Sequence, residues 1–190
     1  MLMDSWMLVR IKKANSFQRS VLVLAVLLMS CAVAQAQDGN GLRIKYDRFE
    51  DATAVMTEHQ QLSGNTFDGL SFFISAVHDG AKPKPPKANI VAVNLVSFAT
   101  HRQFSNSDVE MIFLADGVRI KLRVFEGSTK YSSITRRYTE GLIVIVNLDT
   151  LKRLANSTTA EGKVGTKEFI LTSRHKDVIK AFIEYFAKAE

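Results

Sequence analysis

Residues 118–124 alternate strictly between apolar and basic side chains, and this pattern constrains the fold more than any other feature of the chain. Valine, isoleucine and leucine occupy the even positions, and arginine and lysine occupy the odd ones. A period of two places the two sets on opposite faces of a β-strand, one toward a core and one toward water. Asp116 and Gly117 tolerate the positive φ angles of a tight turn. Residues 109–115 are therefore expected to pair with this strand as a hairpin.

Other short runs predict further strands, because each has strand length and is bounded by turn residues. Residues 142–146 are apolar throughout, which is typical of a central strand covered on both faces. All three prolines lie in residues 83–86, and proline cannot donate to a strand ladder, so this segment is expected to be a connection. The remaining predicted strands are Leu42–Tyr46, Ala52–Thr57, Gly69–Val77, Ile90–Ala99 and Lys163–Leu171.

Two helices are predicted toward the C-terminus. Asp149 can cap a short helix over Thr150–Ala155. From Ser173 onwards, apolar residues recur at three- and four-residue steps while lysines lie elsewhere on the helical wheel. Strands followed by helices indicate an α+β fold. We expect an antiparallel β-sheet or sandwich of about seven or eight strands, with a short helix and a C-terminal amphipathic helix packed on it.

The N-terminal segment has the order of a secretory signal. Four basic residues and one aspartate precede the apolar run Val21–Ala34, which is shorter than the roughly twenty residues that a membrane-spanning helix needs. Residues 34–36 have the small-x-small spacing that a signal peptidase accepts. We expect residues 1–36 to be a signal peptide, residues 37–41 a flexible leader and residues 42–190 a single β-rich globular domain.

Residues 28–31 permit a second interpretation, since they resemble a bacterial lipobox, although Met29 fits that pattern poorly. Cys31 would then be lipidated and become the first residue of the mature chain; an uncleaved anchor is a third interpretation. Cys31 is the only cysteine, so cleavage after Ala36 leaves none for a disulfide or a thiolate metal site. We expect an exported protein, periplasmic or extracellular, or anchored by lipid to an envelope membrane.

The net charge of +6 comes in large part from the segment that precedes the domain. Residues 1–36 carry four basic side chains and one acidic one, which leaves about +3 on the rest of the chain. A nucleic-acid-binding domain usually carries a strongly basic footprint. We therefore expect no nucleic acid as a partner, and no transmembrane span in the mature chain.

The chain lacks the common catalytic motifs, among them the nucleophile elbow, the phosphate loop, the zinc helix and the calcium loop. No enzyme class, cofactor or metal is indicated. An enzyme of unfamiliar type would need dispersed groups such as His78, Asp79, His101 or Glu140 to converge in one cleft. The four histidines lie near predicted turns, loop entries and a helix start, where each is expected to be exposed: His59, His78, His101 and His175.

A row of basic residues is the most distinct candidate binding surface. Arg119, Lys121 and Arg123 share one strand face, and Arg136 and Arg137 extend the row if the next strand lies alongside. Such a row can meet anionic lipid or acidic polysaccharide through its electrostatic field. The competing interpretation is a solvated face that keeps an exposed sheet from aggregating.

Four segments of the chain are similar to a group of small exported bacterial proteins of uncharacterised function. The segments read YDRFED from residue 46, ADGVRIKL from 115, EGLIVIVNLDTLKRLANS from 140 and VGTKEFIL from 164. The resemblance implies a bacterial exported domain and transfers no catalytic or ligand residues. We expect a non-enzymatic domain that binds a partner or supports the envelope; the alternatives are an enzyme using dispersed groups and a binder of anionic surfaces.

Overall fold

The computed structural model describes residues 37–38, 41–65, 68–84, 90–104 and 109–187. The expected signal peptide and Cys31 lie outside these residues, as do residues 85–89 of the proline-rich connection. Among the residues described, neither helix is long and apolar enough to cross a membrane.

The described residues form mostly antiparallel β-structure with two helices toward the C-terminus, which confirms the broad α+β architecture. The elements are β1 (Gln37–Asp38), β2 (Leu42–Asp47), β3 (Ala52–Thr57), β4 (Gln60–Gly64), β5 (Gly69–Asp79), β6 (Ile90–Ala99), β7 (Glu110–Ala115), β8 (Val118–Ser132), β9 (Arg137–Asn147), α1 (Leu148–Asn156), β10 (Ala160–Val164), β11 (Lys167–Ile170) and α2 (Ser173–Ala187).

More strands are present in the described residues than the seven or eight expected. The single strand predicted over residues 163–171 is two strands, because Gly165 adopts a φ of 56° and reverses the chain between β10 and β11. β4 has the sequence QQLSG, which lacks the apolar alternation of a strand. β1 lies within the expected flexible leader. The expected cap Asp149 is instead in the first turn of α1, where the side chain of Asn147 accepts from the amide of Thr150 at 2.7 Å.

One strand, β8, belongs to two parts of the sheet. Residues 118–123 pair with β7, and residues 124–132 pair with β9. The register shifts between Val124 and Glu126, which leaves Phe125 as an extra residue. Such a bulge bends a strand. We call sheet A the part formed by β1, β2, β3, β4, β5, β6, β9 and residues 124–132 of β8, and sheet B the part formed by residues 118–123 of β8, β7, β10 and β11.

The core lies on one face of sheet A, the inner face, where sheet B and both helices also contribute side chains. Ile120, Leu122 and Val124 of β8 pack against the core as the alternation predicts, whereas Val118, which is beside the β7–β8 turn, is 45% exposed. α2 adds Phe182, which is fully buried. A cavity of about 10 Å³ lies elsewhere in this core, among Phe72, Met111 and Leu151, and is close to the volume that one water molecule needs. This cavity is too small for a ligand.

The core is closely packed at the β10–β11 hairpin. Gly162 lies opposite Phe169 across the two strands, and a Cβ atom at position 162 would come within 2.2 Å of the phenylalanine ring. The ring is buried and meets Phe113 edge-on, so it has little freedom to move. We expect Gly162→Ala to lower the free energy of unfolding by about 1–3 kcal/mol, measured by urea denaturation.

The control for this change is Gly127→Ala, a second glycine within a strand. Its Cβ would meet a methyl group of Leu142 at 3.2 Å, and that group lies at the end of a flexible side chain. We expect a smaller loss of stability. Equal losses in the two variants would contradict the tight packing of Phe169 on Gly162.

Candidate functional site

The candidate catalytic residues lie at opposite ends of sheet A. His78 and Asp79 end β5 beside the β2–β3 turn, since Ala52 pairs with Asp79. Glu140 is at the other end, where the last residue of β6, Ala99, pairs with Tyr138 of β9; His101 follows β6 at this end. We refer to the Asp79 end and the Ala99 end of sheet A. The four groups are therefore not brought into one cleft.

His78 is buried against the C-terminal part of α2, with 2% of its surface exposed. Its Nδ1 lies 3.1 Å from the carbonyl oxygen of Asp79, and its Nε2 lies 3.1 Å from the hydroxyl of Tyr185. A carbonyl can only accept, so Nδ1 donates, and in the neutral ring Nε2 accepts the tyrosine proton. The Asp79 side chain is on the other face of the strand and is exposed. This histidine fastens α2 to β5 and forms no dyad with the aspartate.

His175 is also buried, at the start of α2. The amide of Thr172 donates to its Nδ1 at 3.1 Å, so Nε2 carries the ring proton and donates to the carbonyl oxygen of Gln61 at 3.0 Å. Its ring meets Phe72 edge-on. The expectation that all four histidines are exposed is therefore wrong for His78, which α2 covers, and for His175, which faces β4 and β5 from α2.

Glu140 is a buried carboxylate on the inner face, with 1% of its surface exposed. It accepts from the backbone amides of Gln103 and Phe104, and the Arg102 guanidinium lies 3.8 Å from its Oε1. Two amides and a guanidinium satisfy a buried carboxylate. Its role is to hold the loop that follows β6 against the sheet.

The five basic residues do not form one surface. Arg119, Lys121 and Arg123 lie in a row on the outer face of sheet B, where Lys121 forms an ion pair of 2.6 Å with Glu110. Arg136 and Arg137 lie at the β8–β9 turn, roughly nine residues and about 30 Å further along β8 at the usual rise of a strand. The bulge at Phe125 also separates the two sets, so Arg136 and Arg137 do not extend the row.

A groove of about 900 Å³ runs over the outer face of sheet B. Its apolar lining includes Leu114 and Ile170, which are 39% and 64% exposed. Charged side chains of both signs surround the apolar ones, and Leu62 and Thr172 lie at one side. The charged residues that line it are Arg119, Glu161, Lys163 and Glu168. This size lies at the upper end of the range for small-molecule sites.

No sequence motif predicts this groove. Its floor depends on the pairing of β7 with β10, which brings Glu161 opposite Leu114 and Lys163 opposite Ile112. Residues 111–115 (MIFLA) do carry a pattern that indicates such a surface. They are apolar on both faces of the strand, whereas their partner, residues 118–124, alternates between apolar and basic side chains. An apolar outward face on such a strand indicates either a second covering layer or a ligand site.

In the part of the chain that the structure describes, no group of three or more histidine, cysteine, aspartate or glutamate side chains is placed to hold a metal ion. No protein-family model, curated protein or solved structure matches the chain.

The structural role of Glu140 leads to a prediction. Glutamine has the same shape, but it is neutral and keeps only one acceptor oxygen. Its NH2 group then faces either the Arg102 guanidinium or a backbone amide, and the charge that pairs with Arg102 is lost. We expect Glu140→Gln to lower the free energy of unfolding by about 1–3 kcal/mol in urea denaturation. Glu126→Gln, an exposed glutamate on the neighbouring strand, is expected to change it by less than about 0.5 kcal/mol. A fully stable Glu140→Gln variant would contradict the anchoring role.

His59 gives a pH-dependent prediction. Its ring centroid lies 4.5 Å from that of Phe73, and burial together with the positive charge of Arg43 lowers its pKa below 6.5. The unfolded chain then binds a proton at His59 more tightly than the folded chain does. The contribution of His59 to the free energy of unfolding is therefore complete above pH 6.5 and is lost as the pH falls through the folded-state pKa. We expect His59→Asn to flatten this dependence in denaturation curves recorded at several pH values.

Arg43→Gln is the matched change, because it keeps the histidine and removes the neighbouring charge. Its pH dependence is expected to lie between those of the wild type and His59→Asn. If the slope of His59→Asn equals that of the wild type, another group titrates in this range and the assignment to His59 fails.

Proposed function

We propose that the domain is an exported binding domain of a bacterium and that it takes an amphipathic ligand in the groove of sheet B. The groove carries this proposal, since an exposed apolar floor with charged neighbours is typical of a ligand site. Export is the prediction from residues 1–36, and the resemblance to small exported bacterial proteins agrees with it.

One side chain of the groove, Arg119, can take an anionic group of a ligand. Arg119 lies directly opposite Leu114 on the neighbouring strand, so a negative group bound beside the apolar floor can meet its guanidinium. Lys163 is already paired with Glu168 at 2.8 Å. The ligand class that fits is therefore an apolar body with one acidic group, such as a fatty acid.

A non-enzymatic role is favoured over the enzyme alternative by the hydrogen bonds of the buried candidates. His78 holds α2, and Glu140 holds the loop after β6, so each already has a structural use. The anionic-surface alternative keeps some support from Arg119 and Arg123, which are exposed on the same strand face as the groove.

The groove can be tested with 1-anilinonaphthalene-8-sulfonate, a fluorescent probe with apolar rings and one sulfonate. We expect the purified protein to bind it and a fatty acid to displace it. The double variant Leu114→Gln, Ile170→Gln is expected to weaken binding about tenfold, because the apolar contact is lost. Arg119→Gln is expected to weaken binding of the sulfonate and to leave binding of an uncharged analogue unchanged.

The control is Phe98→Gln, which removes an exposed apolar side chain from sheet A. Its probe affinity is expected to equal that of the wild type. Because the probe also binds loosened proteins, urea denaturation must show that each variant is folded. Equal probe affinities for the wild type and the double variant would refute the groove as the site.

A further inference from the structure

The turn between β8 and β9 presents an apolar side chain to solvent. Ile134 is 95% exposed, the largest exposed fraction among the apolar side chains described. The turn is ordered around it, since the hydroxyl of Ser132 accepts from the amide of Thr135 at 3.3 Å and Arg136 adopts a φ of 53°. The isoleucine is therefore held outward and does not fold back onto the sheet.

Positive charge surrounds this turn. Residues 127–139 contain Lys130, Arg136 and Arg137 and no acidic residue. Arg102, from the loop after β6, has its Nη2 3.5 Å from the hydroxyl of Thr129, but its charge is paired with that of Glu140. Among the neighbouring acids, Glu140 is buried, and Glu126 is exposed but lies six positions before Ser132. Among the residues that the structure describes, the end of the hairpin therefore has a net positive charge.

Two tyrosines lie one residue pair behind the turn. Tyr131 and Tyr138 are directly opposed across the strands, with ring centroids 4.9 Å apart, and Tyr131 is exposed. The hairpin thus carries an aliphatic side chain at its turn, with basic side chains and tyrosine rings behind it on both strands. A bilayer can take an aliphatic side chain among its acyl chains, and tyrosine rings and basic side chains at the level of the anionic headgroups.

We propose that the β8–β9 hairpin docks this protein on an anionic lipid bilayer, with Ile134 inserted among the lipids. This surface is separate from the groove of sheet B, and the inference goes beyond ligand binding there. A soluble acidic polymer would use the charges but would give no energy for burying the isoleucine. The exposed isoleucine at the centre of the charges therefore favours a bilayer.

The β2–β3 turn shows what distinguishes the hairpin. It also exposes an apolar residue, Phe49, at the Asp79 end of sheet A. Acidic residues accompany it, and the guanidinium of Arg48 lies 4.7 Å above its ring. The acids in this turn are Asp47, Glu50 and Asp51. A negatively charged surface would repel this turn, so Phe49 is the matched control for Ile134.

The test is co-flotation of the purified protein with vesicles of phosphatidylcholine, with and without phosphatidylglycerol. All variants keep the same N-terminus, so differences between them do not come from residues 1–36. We expect binding to the mixed vesicles that weakens as salt is added. Ile134→Ser is expected to weaken binding to the mixed vesicles about fivefold. The double variant Lys130→Gln, Arg136→Asn is expected to weaken it about fivefold for each charge removed.

The controls are Phe49→Ser and Arg123→Gln, which are expected to bind as the wild type does. Equal losses in Phe49→Ser and Ile134→Ser would overturn the inference, as would a greater loss in Arg123→Gln than in the hairpin variants. Binding to soluble polyglutamate that depends on Lys130 and Arg136, without binding to vesicles, would also overturn it and identify an acidic polymer. Probe binding in the groove is measured separately, so either proposal can fail without the other.

Discussion

The bend in β8 is the feature on which the rest of the structure depends. A single strand supplies the edge of sheet A and the edge of sheet B, and the extra residue Phe125 lets the direction change between them. The apolar residues of both sheets then face one interior with the helices. The basic row of sheet B and the β8–β9 turn lie on opposite sides of this bulge along the strand. Two surfaces of different chemistry arise from one strand.

The buried polar groups serve this packing. His78 and His175 join α2 to β5 and to β4, and each ring has a hydrogen-bond partner at both nitrogens. Glu140 similarly holds the loop after β6 through two backbone amides. Burying such groups costs free energy unless they are fully hydrogen-bonded. Their hydrogen-bond partners therefore explain why histidine and glutamate can occupy these buried positions.

The two proposed binding surfaces differ in shape, and each shape suits a different ligand. The groove of sheet B is concave and large enough for a small amphipathic molecule. The hairpin is convex, and its single isoleucine is surrounded by positive charge. A convex apolar tip has little area for a small molecule, but it can enter a soft surface such as a bilayer. Capture of an amphipathic ligand and contact with lipid are compatible tasks, because the surfaces share no side chain.

The sequence by itself determined the elements whose patterns are local. The alternation of residues 118–124 and the apolar steps after Ser173 gave the direction of each side chain, because a strand and a helix fix the spacing of one face. The turn at Gly165 that splits residues 163–171 is also local, although a single strand is predicted there from the sequence, whereas the burial of His78 and the groove were decided only by tertiary structure. Each depends on a partner far along the chain, such as β7 for β10 or Tyr185 for His78. Pairing across such distances follows from the fit of the whole sheet, which no short stretch of residues encodes.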